Sequence, residues 1–154
     1  MSDLIVRIEE LSPMRIASVC VISAHPENDA WEKLQKWANP LGLLEDCEKH
    51  PIFGFDNPRP SANQKVYGYE FWIKIDQDEV PCDDIIIKDF SGGKYAVTTI
   101  QGLPNPSVCM QFHKWLQSSP YKWRNTHELE KALIRGVPES EMLFDLYFPV
   151  EKKS

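Results

Sequence analysis

The sequence predicts an α+β fold in which two successive β-β-α-β-β units form a pseudo-twofold tandem with an antiparallel sheet and a central ligand groove. Three observations lead to this prediction. Runs rich in β-branched and aromatic residues outnumber the helical segments. Each half of the chain contains one segment with helical apolar spacing, and similar runs recur roughly 75 to 79 positions apart.

The first half is predicted to contain four strands and one helix. The helix covers Ala30–Ala38, where apolar residues recur three or four positions apart, and the dipeptide Asn39-Pro40 ends the pattern. The strands are predicted at Leu4–Ile8, Met14–Ser23, Ile52–Phe55 and Val66–Ile75.

The second half repeats this order. A helix is predicted for Ser107–Leu116, directly after Pro104-Asn105-Pro106. The segment Glu128–Ile134 is compatible with either a helix or a strand. The strands are predicted at Ile85–Phe90, Lys94–Gln101 and Leu143–Val150.

Two pairs of short matches support an internal repeat. Lys36-Trp37, at the end of the first predicted helix, matches Lys114-Trp115, which lies 114 − 36 = 78 positions later. The run YEFWIKI matches FDLYFPV, and this alignment places Glu70 over Asp145. Two such units would each bury one helix on one sheet face and would leave a groove between them.

Length and charge limit the possible functions. The 154 residues are predicted to form a single domain, 1–154, with internal repeats at 4–76 and 84–150. The formal net charge is −6 and no run of Lys or Arg is longer than two, whereas phosphate binding requires clustered basic side chains. We therefore expect no direct contact with nucleic acid.

The cysteines and the N-terminus exclude several further classes. The four cysteines form no C-x-x-C pair, and no histidine lies at zinc-finger spacing, so neither a metal nor another cofactor is predicted. The sequence also lacks a P-loop, a G-x-G-x-x-G motif and a nucleophile elbow. Its N-terminus resembles neither a signal peptide nor a membrane span, which predicts a cytoplasmic protein with reduced thiols and no membrane partner.

The run VYGYEFWIKI, residues 66–75, contains a carboxylate within the most aromatic strand of the chain. Strand alternation places Tyr67, Tyr69 and Phe71 on a face that packs on the helix, and Glu70 with Trp72 on the other face. That second face is either solvated or the aromatic wall of a ligand cleft. In a cleft, the buried carboxylate would favour a flat cationic ligand, or its pKa would rise to suit general acid–base catalysis.

Ordered motifs along the chain resemble the GyrI-like domains, the effector-binding domains of AraC-type and MerR-type regulators. FSGGKYAV, a helix ending in KWL, QSSPY, ELEKA and FDLYFPV are similar to the second half of that family. YGYEFW and IFGFDNPRPS resemble the first half of its stand-alone branch. The resemblance implies paired β-β-α-β-β units around a groove for amphipathic, often cationic, aromatic compounds.

The resemblance also implies residue roles. Glu130, which follows Leu129 in ELEKA, matches the family's L-E-E type motif and would be the acidic residue that contacts the ligand. Some stand-alone members are similar to hydrolases of strained electrophilic compounds. The sequence departs from the motif at Lys131 and Ala132, which favours binding over hydrolysis.

These observations predict a drug- or effector-binding module without its own DNA-binding segment, acting as a monomer or homodimer. The alternatives are a hydrolase that activates water with Glu130 or Glu70, and an inhibitor-like protein that binds a basic macromolecule. Phe53 and Phe55 are predicted as a lid or rim. The predicted ligand-contacting residues are Glu130, Glu70, Trp72, Tyr67, Tyr69, Tyr95, Trp115, Phe53, Phe55 and Tyr147.

Overall fold

The structure is a computed structural model that describes residues 4–58, 60–61, 63, 65–76, 84–133 and 137–154. It contains nine strands and two α-helices within these residues, which confirms the α+β prediction. The strands are β1 Arg7–Leu11, β2 Met14–Ser23, β3 Ile52–Asp56, β4 Tyr67–Lys74, β5 Ile86–Phe90, β6 Gly93–Gln101, β7 Tyr121–Trp123, β8 Leu129–Ala132 and β9 Leu143–Lys152. The helices are α1 Pro26–Ala38 and α2 Pro106–Ser118, and two short 3₁₀ helices cover Asn39–Leu41 and Glu139–Glu141.

The chain divides into two compact units. We call Pro13–Ser91 the α1 unit, and Met1–Ser12 together with Gly92–Ser154 the α2 unit. Both units contain antiparallel strand pairs and one long helix. No described helix is both long and apolar enough to cross a membrane.

In the α1 unit, four antiparallel strands lie in the order β3-β4-β2-β5. One face of this sheet packs on α1, where Leu34 is fully buried among Val19, Phe71 and Ile73. Apolar side chains at alternate positions of β2 and β4 supply this core because successive strand residues point to opposite faces. The helix begins at Pro26, four residues before the predicted start, and proline is well tolerated in the first turn of a helix.

In the α2 unit, the order is β1-β6-β9-β8, and β7 pairs with the end of β9. The core lies between α2 and one face of β9, where the rings of Phe112 and Phe148 stack with their centroids 3.9 Å apart. The side chain of Asn105 caps α2 by accepting hydrogen bonds from the backbone amides of Ser107 and Val108.

Two strands belong to a different unit from the one that their position in the sequence suggested. β1, in the first half of the chain, pairs with β6, whereas β5 pairs with β2. The segment that was compatible with helix or strand forms the strand β8. The internal repeat itself stays a prediction; in each unit the helix follows one of the long strands, α1 after β2 and α2 after β6.

Candidate functional site

The candidate site lies on the face of the α1-unit sheet that points away from α1. The register pairs Cys20 with Glu70 and Ser18 with Trp72, while the neighbouring residues of both strands point into the α1 core. Lys88 on β5 is opposite Ile16 and therefore lies on this same side. We call this side the carboxylate face.

Glu70 is the centre of the carboxylate face, and only 3% of the residue is exposed. Its Oε2 accepts hydrogen bonds from Ser18 Oγ at 2.7 Å, Lys88 Nζ at 2.9 Å and Trp72 Nε1 at 2.5 Å. Its Oε1 accepts one from Asn57 Nδ2 at 3.0 Å. The carboxylate is thus buried with donors on both oxygens, as a buried charge requires.

The surroundings of Glu70 favour its ionised form. Burial alone raises the pKa of this carboxyl, but hydrogen bonds from Ser18, Lys88, Trp72 and Asn57 together outweigh burial and lower the pKa. Glu70 is therefore a carboxylate at neutral pH. This arrangement contradicts the idea of a raised pKa that would make it a general acid.

Aromatic rings surround the indole that contacts Glu70. The centroid of Trp72 lies 4.9 Å from that of Phe55 in an edge-on arrangement, and 5.2 Å from that of Phe90. Aromatic pairs at these separations are favourable and hold ring orientations. The indole N–H therefore has a fixed direction toward the carboxylate, while Trp72 itself stays partly exposed.

Gly68 permits the loop before β4 to reach the carboxylate. A Cβ atom at this position would lie 1.8 Å from the carbonyl oxygen of Asn57. Gly68 exchanges backbone hydrogen bonds with this loop, accepting one from Asn57 N and donating one to the oxygen of Pro58. A glycine within a strand often marks the close approach of another backbone. At Gly68 that backbone is the protein's own loop, which brings the Asn57 amide to Glu70.

Lys88 is the solvent-facing member of the site. Its side chain is 42% exposed, whereas that of Glu70 is 4% exposed. Cys20, directly opposite Glu70, is also exposed and carries a free thiol. Two exposed side chains, those of Lys88 and Cys20, therefore lie next to the buried carboxylate.

The α2 unit has its own buried carboxylate, Asp145 on β9. It accepts a hydrogen bond from the hydroxyl of Thr99 and pairs with Arg7 Nη2 at 2.8 Å. The side chain of Asp145 points away from the α2 core, and so does that of Tyr147. The ring of Tyr147 packs edge-on against that of Tyr95. In each unit, a buried carboxylate on a central strand thus pairs with a cation from an edge strand.

The predicted site residues of the α1 unit fall on both sides of its sheet. Trp72, Phe53 and Phe55 share the carboxylate face with Glu70, but both phenylalanines are buried within β3 rather than placed in a lid. Tyr69 belongs to the α1 core, and the Tyr67 hydroxyl donates to Glu27 on α1 at 2.6 Å. Neither tyrosine lies beside Glu70.

The predicted residues of the α2 unit are also divided. Tyr95 is buried, with the Arg124 guanidinium 4.8 Å above its ring. Trp115 stacks on Phe112 and packs on the core of its unit. Glu130 is half-buried, and its register partner Leu146 places it on the α2 side of the sheet, opposite to the side of Asp145.

Sequence reasoning missed three partners of Glu70, namely Ser18, Asn57 and Lys88. Only pattern alternation in β2 and β5 could have placed Ser18 and Lys88 on one face, and the strand order was needed to bring them to Glu70. No cluster of three or more metal-ligating side chains occurs among the described residues.

Comparisons with known proteins relate the chain to small-molecule-binding domains. A family model described as the GyrI-like small molecule binding domain matches residues 5–151. No curated protein sequence matches the chain.

Several solved structures share the fold. A hydrolase from Listeria innocua has a TM-score of 0.71 and 11% identity over 95% of this chain and 91% of that one. The C-terminal domain of EcmrR has a TM-score of 0.66 and 17% identity over 97% and 99%. SAV2435 bound to tetraphenylphosphonium has a TM-score of 0.60 and 13% identity over 96% and 94%. At these identities the likeness is one of fold.

Proposed function

The chain belongs to the family of GyrI-like small-molecule-binding domains, and we propose that it binds amphipathic, cationic aromatic molecules at the carboxylate face of the α1 unit. The observation that carries this proposal is the contact between Glu70 and Trp72. An ionised, buried carboxylate here accepts a hydrogen bond from an indole whose ring remains partly exposed. Such a pair offers charge and a stacking surface to one ligand.

The roles of the two residues follow from their surroundings. A lipophilic cation would lose little hydration on entering an aromatic site, and its charge would interact with Glu70 across a low local dielectric. The partly exposed ring of Trp72 would stack on the ligand, while its contacts with Phe55 and Phe90 hold its orientation. A ligand of this class is supported by the structure of SAV2435, which has the same fold and is bound to tetraphenylphosphonium.

The test compares a cation with a neutral molecule of similar shape. Tetraphenylphosphonium and triphenylphosphine oxide are titrated against the wild type and Glu70→Gln, with intrinsic tryptophan fluorescence and calorimetry as readouts. Glu70→Gln should weaken binding of the cation by about tenfold or more and that of the neutral compound by less than about twofold. The exposed Glu32 on α1 supplies the control, since Glu32→Gln removes the same charge away from the carboxylate face.

Equal affinity of the wild type for both compounds would remove the electrostatic part of the proposal. A tenfold loss in Glu32→Gln as well would contradict binding at the carboxylate face and would point to the protein's net charge or to the cavity that Glu32 lines with Trp37.

A second candidate function is the hydrolysis of a strained electrophile, supported by the fold shared with the Listeria innocua hydrolase. Glu70 would then accept a proton from an attacking water, because it is ionised. Its four donors weaken it as a base, which favours binding over turnover. A screen of epoxides and other strained rings decides the matter: release of diol that is lost in Glu70→Gln supports an enzyme, and no turnover supports the binding module.

A further inference from the structure

The hydrogen bonds around Glu70 leave no vacant position on Oε2. Ser18, Trp72 and Lys88 all donate to this one oxygen. A carboxylate has about two lone-pair positions on each oxygen, so a further cation can approach Oε2 only by replacing a donor. Which donor leaves determines what the site selects.

Lys88 is the donor that can leave. The Ser18 hydroxyl belongs to a buried residue in the central strand β2, and the Trp72 indole packs against both Phe55 and Phe90. Lys88 lies on the edge strand β5 at the end of a flexible side chain that is 42% exposed. Its ammonium can therefore rotate into water with little loss of packing.

We propose that Lys88 is the specificity-determining residue of this site: it acts as an internal counter-ion that the ligand's cation displaces from Oε2 of Glu70. This inference rests on the proposed function. Lys88 occupies the position of the ligand charge when the site is empty, and it opposes every cation that enters. A neutral aromatic molecule can stack on Trp72 while the ion pair stays intact.

Displacement also defines the ligand class more narrowly. The ammonium gains hydration when it leaves, whereas the incoming cation loses its own hydration. The exchange is favourable for large cations with delocalised or shielded charge, which are weakly hydrated, and unfavourable for small ammonium ions. The site should therefore prefer phosphonium and dye-like cations over alkylammonium ions of equal charge.

Lys74 provides a matched control. It lies opposite Ile16 on one side, and Lys88 lies opposite Ile16 on the other, so both lysines occupy the same face of the sheet. Lys74 is exposed, and of the two only Lys88 donates to Glu70. Replacing either lysine removes the same charge, but only Lys88→Met removes the competing ammonium.

The experiment titrates tetraphenylphosphonium and triphenylphosphine oxide against the wild type, Lys88→Met, Lys74→Met, Lys88→Arg and the double variant Glu70→Gln/Lys88→Met. Lys88→Met should bind the cation about tenfold more tightly than the wild type, and Lys74→Met within about twofold. Neither change should alter affinity for the neutral compound, and the double variant should lose the gain. Lys88→Arg should bind the cation more weakly, because a guanidinium can engage a carboxylate with two parallel donors.

The outcomes separate this inference from the proposed function. Cation binding by the wild type that is unchanged in Lys88→Met overturns the displacement of Lys88 and leaves the proposed function standing. The absence of cation binding in every folded variant overturns both. If Lys88→Met does not fold, Lys88→Arg decides, since equal or tighter cation binding in that variant contradicts competition by the side chain at position 88.

Discussion

Cys20 and Glu70 are directly opposed in the antiparallel pairing of β2 with β4, which places a thiol beside the buried carboxylate. Burial raises the pKa of Cys20, the charge of Glu70 raises it further, and Lys88 lowers it. Since only the thiolate reacts with alkylating agents, the reactivity of this thiol reports the charges of the carboxylate face.

The first prediction uses that reporter. Glu70→Gln should lower the pKa of Cys20, because it removes a nearby negative charge, and Lys88→Met should raise the pKa. The measurement is the rate of alkylation by iodoacetamide against pH, with each cysteine followed by its own peptide. Shifts of the same sign in both variants would mean that the thiol does not sense the ion pair.

The second prediction concerns acid stability. Because the pKa of Glu70 is lowered in the folded protein, its contribution to stability is complete above the unfolded value of about 4.3 and is lost as the pH falls through the lower folded value. At neutral pH, Glu70→Gln should unfold at lower urea concentration, with a loss of roughly 1–3 kcal/mol for the charged hydrogen bonds.

The difference in free energy of unfolding between the wild type and Glu70→Gln should then narrow as the pH falls below about 4.3. Urea unfolding at pH 7, 5, 4 and 3 measures it. A gap that stays constant over this range would show that the loss comes from packing or geometry rather than from the charge.

The third prediction tests how the loop before β4 is held. Gly68→Ala would place a methyl group 1.8 Å from the oxygen of Asn57, so the loop must move and Asn57 must release Glu70. Overpacking of this kind costs on the order of 1–3 kcal/mol. Urea unfolding should show that loss, and Asn57→Ala, which removes the hydrogen bond alone, should show less of it.

The fourth prediction concerns alkaline pH and the α2 unit. Burial, with smaller contributions from Glu9 and Asp145, raises the pKa of Tyr147 well above its ordinary value, against the opposing effect of Arg7. Because this pKa is raised in the folded state, the contribution of Tyr147 to stability is complete below its unfolded pKa of about 10 and decreases as the pH rises above that value.

Tyr147→Phe should therefore lose less free energy of unfolding than the wild type as the pH becomes alkaline. Urea unfolding between pH 8 and roughly pH 11 is the measurement, since the tyrosine reference value lies in this interval. An identical loss in the wild type and the variant would assign the alkaline transition to other groups.

The sequence predicted much of the fold because local patterns encode it. The spacing of Trp31 and Leu34 predicted α1, and alternation along β4 predicted that Glu70 and Trp72 share a face away from the helix. β7 has only three residues, too few for any periodic signal, and was not predicted.

The other three partners of Glu70, namely Ser18, Asn57 and Lys88, were not predicted, and the reason is different. Lys88 is eighteen positions away in the chain and reaches Glu70 only because β5 joins the far side of β2. Strand order depends on the free energy of the whole sheet rather than on the residues of one strand. The ion pair of Lys88 with Glu70 and the contact of Asn57 with Gly68 therefore become visible only in the structure.

The fifth prediction distinguishes two candidate counter-charges. The family resemblance points to Glu130, whereas the register of β8 sets Glu130 opposite Leu146, on the α2 side of the α2-unit sheet. Glu70, in contrast, lies beside a partly exposed indole on the side away from its helix. We therefore expect the charge of Glu70 to matter for cation binding and that of Glu130 to matter little.

The measurement is the affinity for tetraphenylphosphonium and for triphenylphosphine oxide in Glu130→Gln and Glu70→Gln. Both changes keep the side-chain shape and remove one negative charge, so the protein's net charge changes equally in the two variants. A desolvated charge pair is worth on the order of 1–3 kcal/mol, about tenfold or more in affinity, whereas a solvated one is worth about 0–1 kcal/mol. Glu70→Gln should therefore lose about tenfold for the cation and Glu130→Gln less than about fivefold. The reverse order of losses would assign the counter-charge to Glu130 and move the ligand from the carboxylate face to the α2 unit.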